Sequence, residues 1–107
     1  MTPDAKRDAL LDFLDKQVFL PAMDAEIAGY TDAGDRELLA NVKKRVQRTR
    51  LRYHGQYATA AGVRTNFLKD LDSKFGQDLA ADMWQLKLKR FETVRNKFID
   101  LCSKLGI

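Results

Sequence analysis

Apolar residues recur at three- and four-residue intervals along almost the whole chain, and no stretch alternates with a period of two. A helix turns about 100° per residue and a strand about 180°, so this spacing builds one apolar stripe per helix and no two-faced strand. The fold class that follows is all-α. We expect an elongated bundle of four or five helices, three long segments plus a short one, in a single domain over residues 1–107. A chain of 107 residues that is 45% hydrophobic suits one such core and needs neither disulfide nor metal to fold.

The first long segment covers 1–29. Thr2 is placed to cap it, with Pro3 at the first helical position and Asp4 in the first turn. Ala9, Leu10, Phe13, Leu14 and Leu20 keep helical spacing, while Asp4, Asp8, Asp12 and Asp15 share an opposite arc of about 80°. Pro21 disfavours helix at Leu20, so the segment restarts or kinks there, then continues from Ala22 to Ala28. Gly29 to Gly34 is the clearest loop. Asp35 then caps a second segment over 35–60, helical to about Tyr57, whose apolar face is Leu38, Leu39, Val42, Val46, Tyr53 and Tyr57. A short helix follows over about 65–74, which Gly76 is placed to end in a left-handed conformation. The last segment, 78–105, reads as one helix with an apolar arc of about 220°. An arc that wide predicts packing on more than one side, either at the centre of the bundle or against a second copy.

Charge is unevenly distributed. Residues 1–37 carry 4 basic and 9 acidic side chains, residues 38–69 carry 8 basic and none acidic, and residues 70–107 carry 7 and 6. The basic residues concentrate on the helix over 43–52, where Lys44, Arg45, Arg48 and Arg52 fall within about 100° of one another. Like charges at this spacing repel by a few tenths of a kcal/mol per pair, so the strip wants an anionic partner. Phosphate is one, because arginine binds it in bidentate fashion. The aspartate strip of the first helix is another. Both strips point away from their own apolar faces, so core packing does not bring them together: either they meet between molecules or both are solvated faces with no partner.

Chemistry is sparse. One histidine, His54, excludes a site that needs two, and no zinc, di-iron or phosphate-loop spacing occurs. Asp70 to Gly76 resembles a calcium loop only loosely, with Lys74 at a ligand position and Ala81 where a bidentate glutamate belongs. Cys102 shares the apolar arc of its helix and is expected to be a small buried hydrophobe rather than a nucleophile served by His54. No cofactor is implied, and the chain does not read as an enzyme. Its longest apolar stretch, Val18 to Met23, is far short of a membrane span. The acidic start at Asp4 and the lone cysteine predict a cytoplasmic protein.

Two functional readings remain. One is a non-enzymatic interaction or regulatory protein, expected to be a homo-oligomer, that binds a protein partner or itself through Trp84, Leu88 and Phe91. The other is a small nucleic-acid-binding protein that uses Lys44, Arg45, Arg48 and Arg52. In that reading Tyr57, Ala58, Gly62, Val63, Leu68 and Leu71 follow a helix-turn-helix spacing with Gly62 at the turn. Arg64, Thr65, Asn66 and Lys69 then open a recognition helix over the corner 57–71. The first reading is preferred, because the acidic first third would repel a polyanion.

Overall fold

The computed structural model describes residues 1–88 and 91–107 as an all-α bundle measuring 46 × 23 × 21 Å. Its elements are α1 (Pro3–Leu14), a π-helical turn (Asp15–Phe19), α2 (Leu20–Asp24), a 3-10 turn (Ile27–Gly29), α3 (Ala33–Gln56), α4 (Ala60–Asp72), α5 (Lys74–Gln85) and α6 (Phe91–Leu105). Since α1, the π turn and α2 are continuous, the described residues make five helical rods. None of them is long and apolar enough to cross a membrane.

The ends follow local chemistry. Thr2 caps α1, its hydroxyl accepting from Ala5 N at 3.1 Å, with Pro3 at the first position. Pro21 does not end the rod, which stays helical through it. The π turn just before it widens the helix, with Leu20 N donating to Asp15 O, which eases the clash of the proline ring with the preceding turn. The rod stops at Asp24 and not at Ala28. The cap of α3 is Asp32, which accepts from Asp35 N at 3.1 Å, so Asp35 lies inside the first turn. At the far end of α3, the Arg7 guanidinium donates to His54 O at 2.8 Å and Tyr57 O at 2.6 Å, meeting carbonyls the helix leaves open. Thr59 caps α4, which therefore begins five residues before the expected Thr65.

Two expectations fail here, and both concern glycine. The last segment is not one helix. It breaks after Gln85, where Lys87 adopts φ 58°, Lys87 N donates to Trp84 O and Leu88 N donates to Met83 O. The same pair of bonds ends α6, from Gly106 N to Ser103 O and from Ile107 N to Cys102 O, around Gly106 at φ 70°. One Schellman motif carries its glycine and the other carries a lysine. Conversely, Gly76 does not terminate a helix. It is buried in the first turn of α5, which Ser73 caps, and a Cβ there would stand 1.8 Å from Asp70 O. Its role is close approach between α4 and α5.

The break also changes what the wide arc means. Buried Leu79 and Met83 form the stripe of α5, and buried Val94, Phe98 and Cys102 form that of α6. Each is an ordinary one-sided stripe on its own helix, so the wide arc no longer calls for a second copy. The main packing sets α1 on α4, with α6 against both, while α5 lies between α4 and α3. A run of rings joins these layers: Phe13 to Phe98 at 5.9 Å, Phe98 to Phe67 at 4.7 Å, and Phe67 to Tyr53 at 6.3 Å. Each such pair contributes about 0.5–1.5 kcal/mol beyond its buried area.

Two substitutions test the glycine argument with opposite signs. Lys87→Gly relieves the left-handed strain and raises stability by about 0.5–1 kcal/mol after the added freedom of the unfolded chain is counted. Gly76→Ala forces α4 and α5 apart and lowers it by about 2 kcal/mol. Urea unfolding of both variants beside the native chain reads the two shifts.

Candidate functional site

Three flanks of α3 carry its basic residues, and the helix meets a different neighbour on each. On the first flank, Arg50 Nε donates to Asp15 Oδ1 at 2.9 Å and His54 Nε2 lies 3.0 Å from Asp15 Oδ2. The acidic strip and the basic helix therefore meet inside one chain, at Asp15, but through Arg50 and His54 and not through the strip of Lys44, Arg45, Arg48 and Arg52. Arg50 stands beside the core edge of its helix, and its long side chain spans the gap that an angular argument ignores. Burial pushes the Asp15 carboxyl up, but hydrogen bonds and charge from Arg50 and His54 outweigh it and hold the group below its ordinary value. Asp4, Asp8 and Asp12 stay exposed.

On the second flank, Arg45 Nη2 is paired with Asp82 of α5, and Arg52 Nη2 with Asp70 of α4. Asp70 Oδ2 also accepts from Tyr53 Oη at 2.8 Å. Burial first, then that hydrogen bond, pushes the Tyr53 phenol well above its ordinary value, so it stays protonated and donates. The Arg52 guanidinium lies 5.7 Å from the Tyr53 ring centre, which steadies it further. Between these two pairs lies a groove of about 230 Å³ lined by Arg45, Arg48, Thr49, Arg52 and Phe75. The Thr49 hydroxyl donates back to Arg45 O at 2.9 Å.

The third flank is the solvent ridge of Lys44, Arg48 and Leu51, all exposed, with Leu51 at 63%. Lys44 and Arg48 have no ion-pair partner among the described residues.

The six basic candidates are thus not one site. Arg45, Arg48 and Arg52 share the groove, whereas Lys44 lies on the ridge. Arg64 is exposed on α4 near enough to Cys102 of α6 for its charge to reach the thiol, which burial pushes up. Lys69 is exposed on α4. The helix-turn-helix register is not formed: the corner lies at 57–59, and Gly62 is inside α4. Cys102 is buried at 2% exposure, and His54 faces Asp15, so the two do not pair. Asp70 is engaged by Arg52 and Tyr53 in place of a cation. Trp84 is 59% exposed at the end of α5, whereas Leu88 and Phe91 are half-buried and pack against the core.

Sequence reasoning missed Phe75, 39% exposed on the rim of the groove, because the segment around it was read as the end of a helix. The signal was there in Ser73, a serine three residues ahead of Gly76 that caps a new helix.

Asp15→Asn tests the first flank. A carboxyl held below its ordinary value adds stability above about pH 4 and loses it as pH falls through the lower folded value. The variant should be about 1–2 kcal/mol less stable at neutral pH, with a gap that narrows on acidification. Chemical denaturation at neutral pH and near pH 3 measures both; an equal gap at the two pH values would show that the pair carries no charge-dependent stability.

No protein-family model matches the chain, and no curated protein and no solved structure is significantly similar to it.

Proposed function

We propose that the protein is a non-catalytic helical interaction module that associates with a second copy of itself through the end of α5 around Trp84, flanked by Leu88 and Phe91. The observation that carries this reading is the 59% exposure of Trp84 in a chain whose other rings lie largely within the core. Tryptophan supplies more contact area than any other side chain and is enriched where protein interfaces concentrate their binding energy. Charge gives a second support. The exposed Asp4, Asp8 and Asp12 of α1, of which Asp8 and Asp12 pair with Arg7 and Lys16 of their own rod, and the exposed Lys44 and Arg48 of α3 are complementary rows that two molecules can bring together.

Sedimentation equilibrium across a wide concentration range tests the proposal. Wild type should shift from monomer towards dimer as concentration rises. Trp84→Lys should weaken that step by at least about 2 kcal/mol, or roughly thirtyfold, with an unchanged far-UV circular dichroism spectrum. A wild-type chain that stays monomeric at the highest concentration would sink the reading.

A further inference from the structure

We infer that the groove between α3 and α5 binds one nucleotide unit of a single-stranded nucleic acid, with the phosphodiester on Arg48 and the base against Phe75. This inference does not rest on self-association.

Charge selects the anion. The groove holds the guanidinium groups of Arg45, Arg48 and Arg52, and two of these are already matched by Asp82 and Asp70. One net positive charge remains, on Arg48, which is exposed and has no ion-pair partner among the described residues. A phosphodiester carries one negative charge, so it fits this balance, whereas a phosphomonoester near neutral pH brings close to two.

The paired arginines are held rather than consumed. Each meets its aspartate through Nη2. A guanidinium has five N–H donors, so others remain to direct at phosphate oxygens. Asp82 and Asp70 thus fix the orientation of the two arginines before any ligand arrives.

Size and shape select the rest of the ligand. At about 230 Å³ the groove is smaller than pockets that enclose a whole small molecule. It suits one unit of a chain that continues outside it. Phe75 is the aromatic residue on its wall and is 39% exposed, enough to offer a ring face for stacking. Stacking on a wall requires a base that has left its own stack, which a single strand supplies and a duplex does not. The pairing of a ring with a phosphate contact is the pattern by which proteins hold single strands without reading sequence.

Fluorescence anisotropy of a short fluorescein-labelled oligo(dT), with the matching oligo(dT)·oligo(dA) duplex as comparator, tests the inference at about 50 mM salt. Binding to the single strand should exceed that to the duplex. Arg48→Glu should weaken it by at least about tenfold, and Phe75→Ala by at least about fivefold, since each stacked base is worth about five- to a hundredfold or more. Phe75→Leu keeps the apolar volume but lacks the ring, so loss of binding in this variant with an unchanged thermal melt separates stacking from unfolding. Absence of single-strand binding overturns the inference. Equal affinity for the duplex, or full affinity in Phe75→Leu, also overturns it, because either would leave only a diffuse cationic surface.

Discussion

Tyr53 can be buried to 0% exposure only because Asp70 accepts its hydroxyl, and the same carboxylate pairs with Arg52 on the outer side of α3. The backbone of Asp70 has a further role. Its carbonyl accepts from Ser73 N at 3.2 Å and from the Ser73 hydroxyl at 2.6 Å, closing α4 just where α5 begins. That carbonyl also occupies the space in front of Gly76. One residue therefore ties α3 to α4 by its side chain and α4 to α5 by its backbone. A buried hydroxyl without an acceptor would forfeit about 1–3 kcal/mol, so the packing of Phe19, Phe67 and Tyr57 around the Tyr53 ring depends on this carboxylate being in place.

The acid-free run 38–69 takes on a different meaning once those pairs are known. Three of its arginines are committed: Arg50 to Asp15, Arg45 to Asp82 and Arg52 to Asp70. The carboxylates come from the π turn, α5 and α4, which are elements that pack against α3 or against each other. Much of the asymmetry along the sequence is thus internal balance in space. What is left for a partner is narrower than the sequence suggests, chiefly the ridge of Lys44 and Arg48 and the groove beside it. Partly exposed pairs like these contribute modestly to stability, typically under about 1 kcal/mol each. Their larger effect is geometric, because they set which way the guanidinium groups face.

Much of the fold was legible because it follows from local rules. Thr2 and Pro3 announce the start of α1, the expected loop from Gly29 to Gly34 contains the short connection before α3 although Gly34 already lies inside that helix, and the stripe of Leu39, Val42, Val46 and Tyr53 fixes the buried face of α3. The candidate site was less legible. Periodicity places a residue on its own helix but does not say which neighbour stands opposite. Arg45, Arg48 and Arg52 could be grouped from spacing, while Asp70, Asp82 and Phe75, which complete the groove, belong to other helices. Asp15 was read on the outward arc with Asp4, Asp8 and Asp12, but in the π turn it lies half-buried against α3, and its partner was missed for the same reason.

The broken last segment shows how one unmarked turn alters a functional argument. Leu86, Lys87 and Leu88 contain neither glycine nor proline, so the sequence has no sign of a stop. The stop is decided by packing: α5 buries Leu79 and Met83 against α3 and α4 while α6 buries Val94, Phe98 and Cys102 against α1 and α4, and the reversal brings both stripes into one bundle. Gain from two buried stripes outweighs the strain of about 1–2 kcal/mol at Lys87. With the two stripes satisfied inside the chain, a broad apolar arc no longer argues for a partner. Trp84 stands at the last turn of α5, about 100° around the helix from buried Met83, so it faces outward where Met83 and Leu86 face the core. The case for an interface therefore rests on that exposed indole and on the charged rows, and not on the hydrophobicity of a long helix.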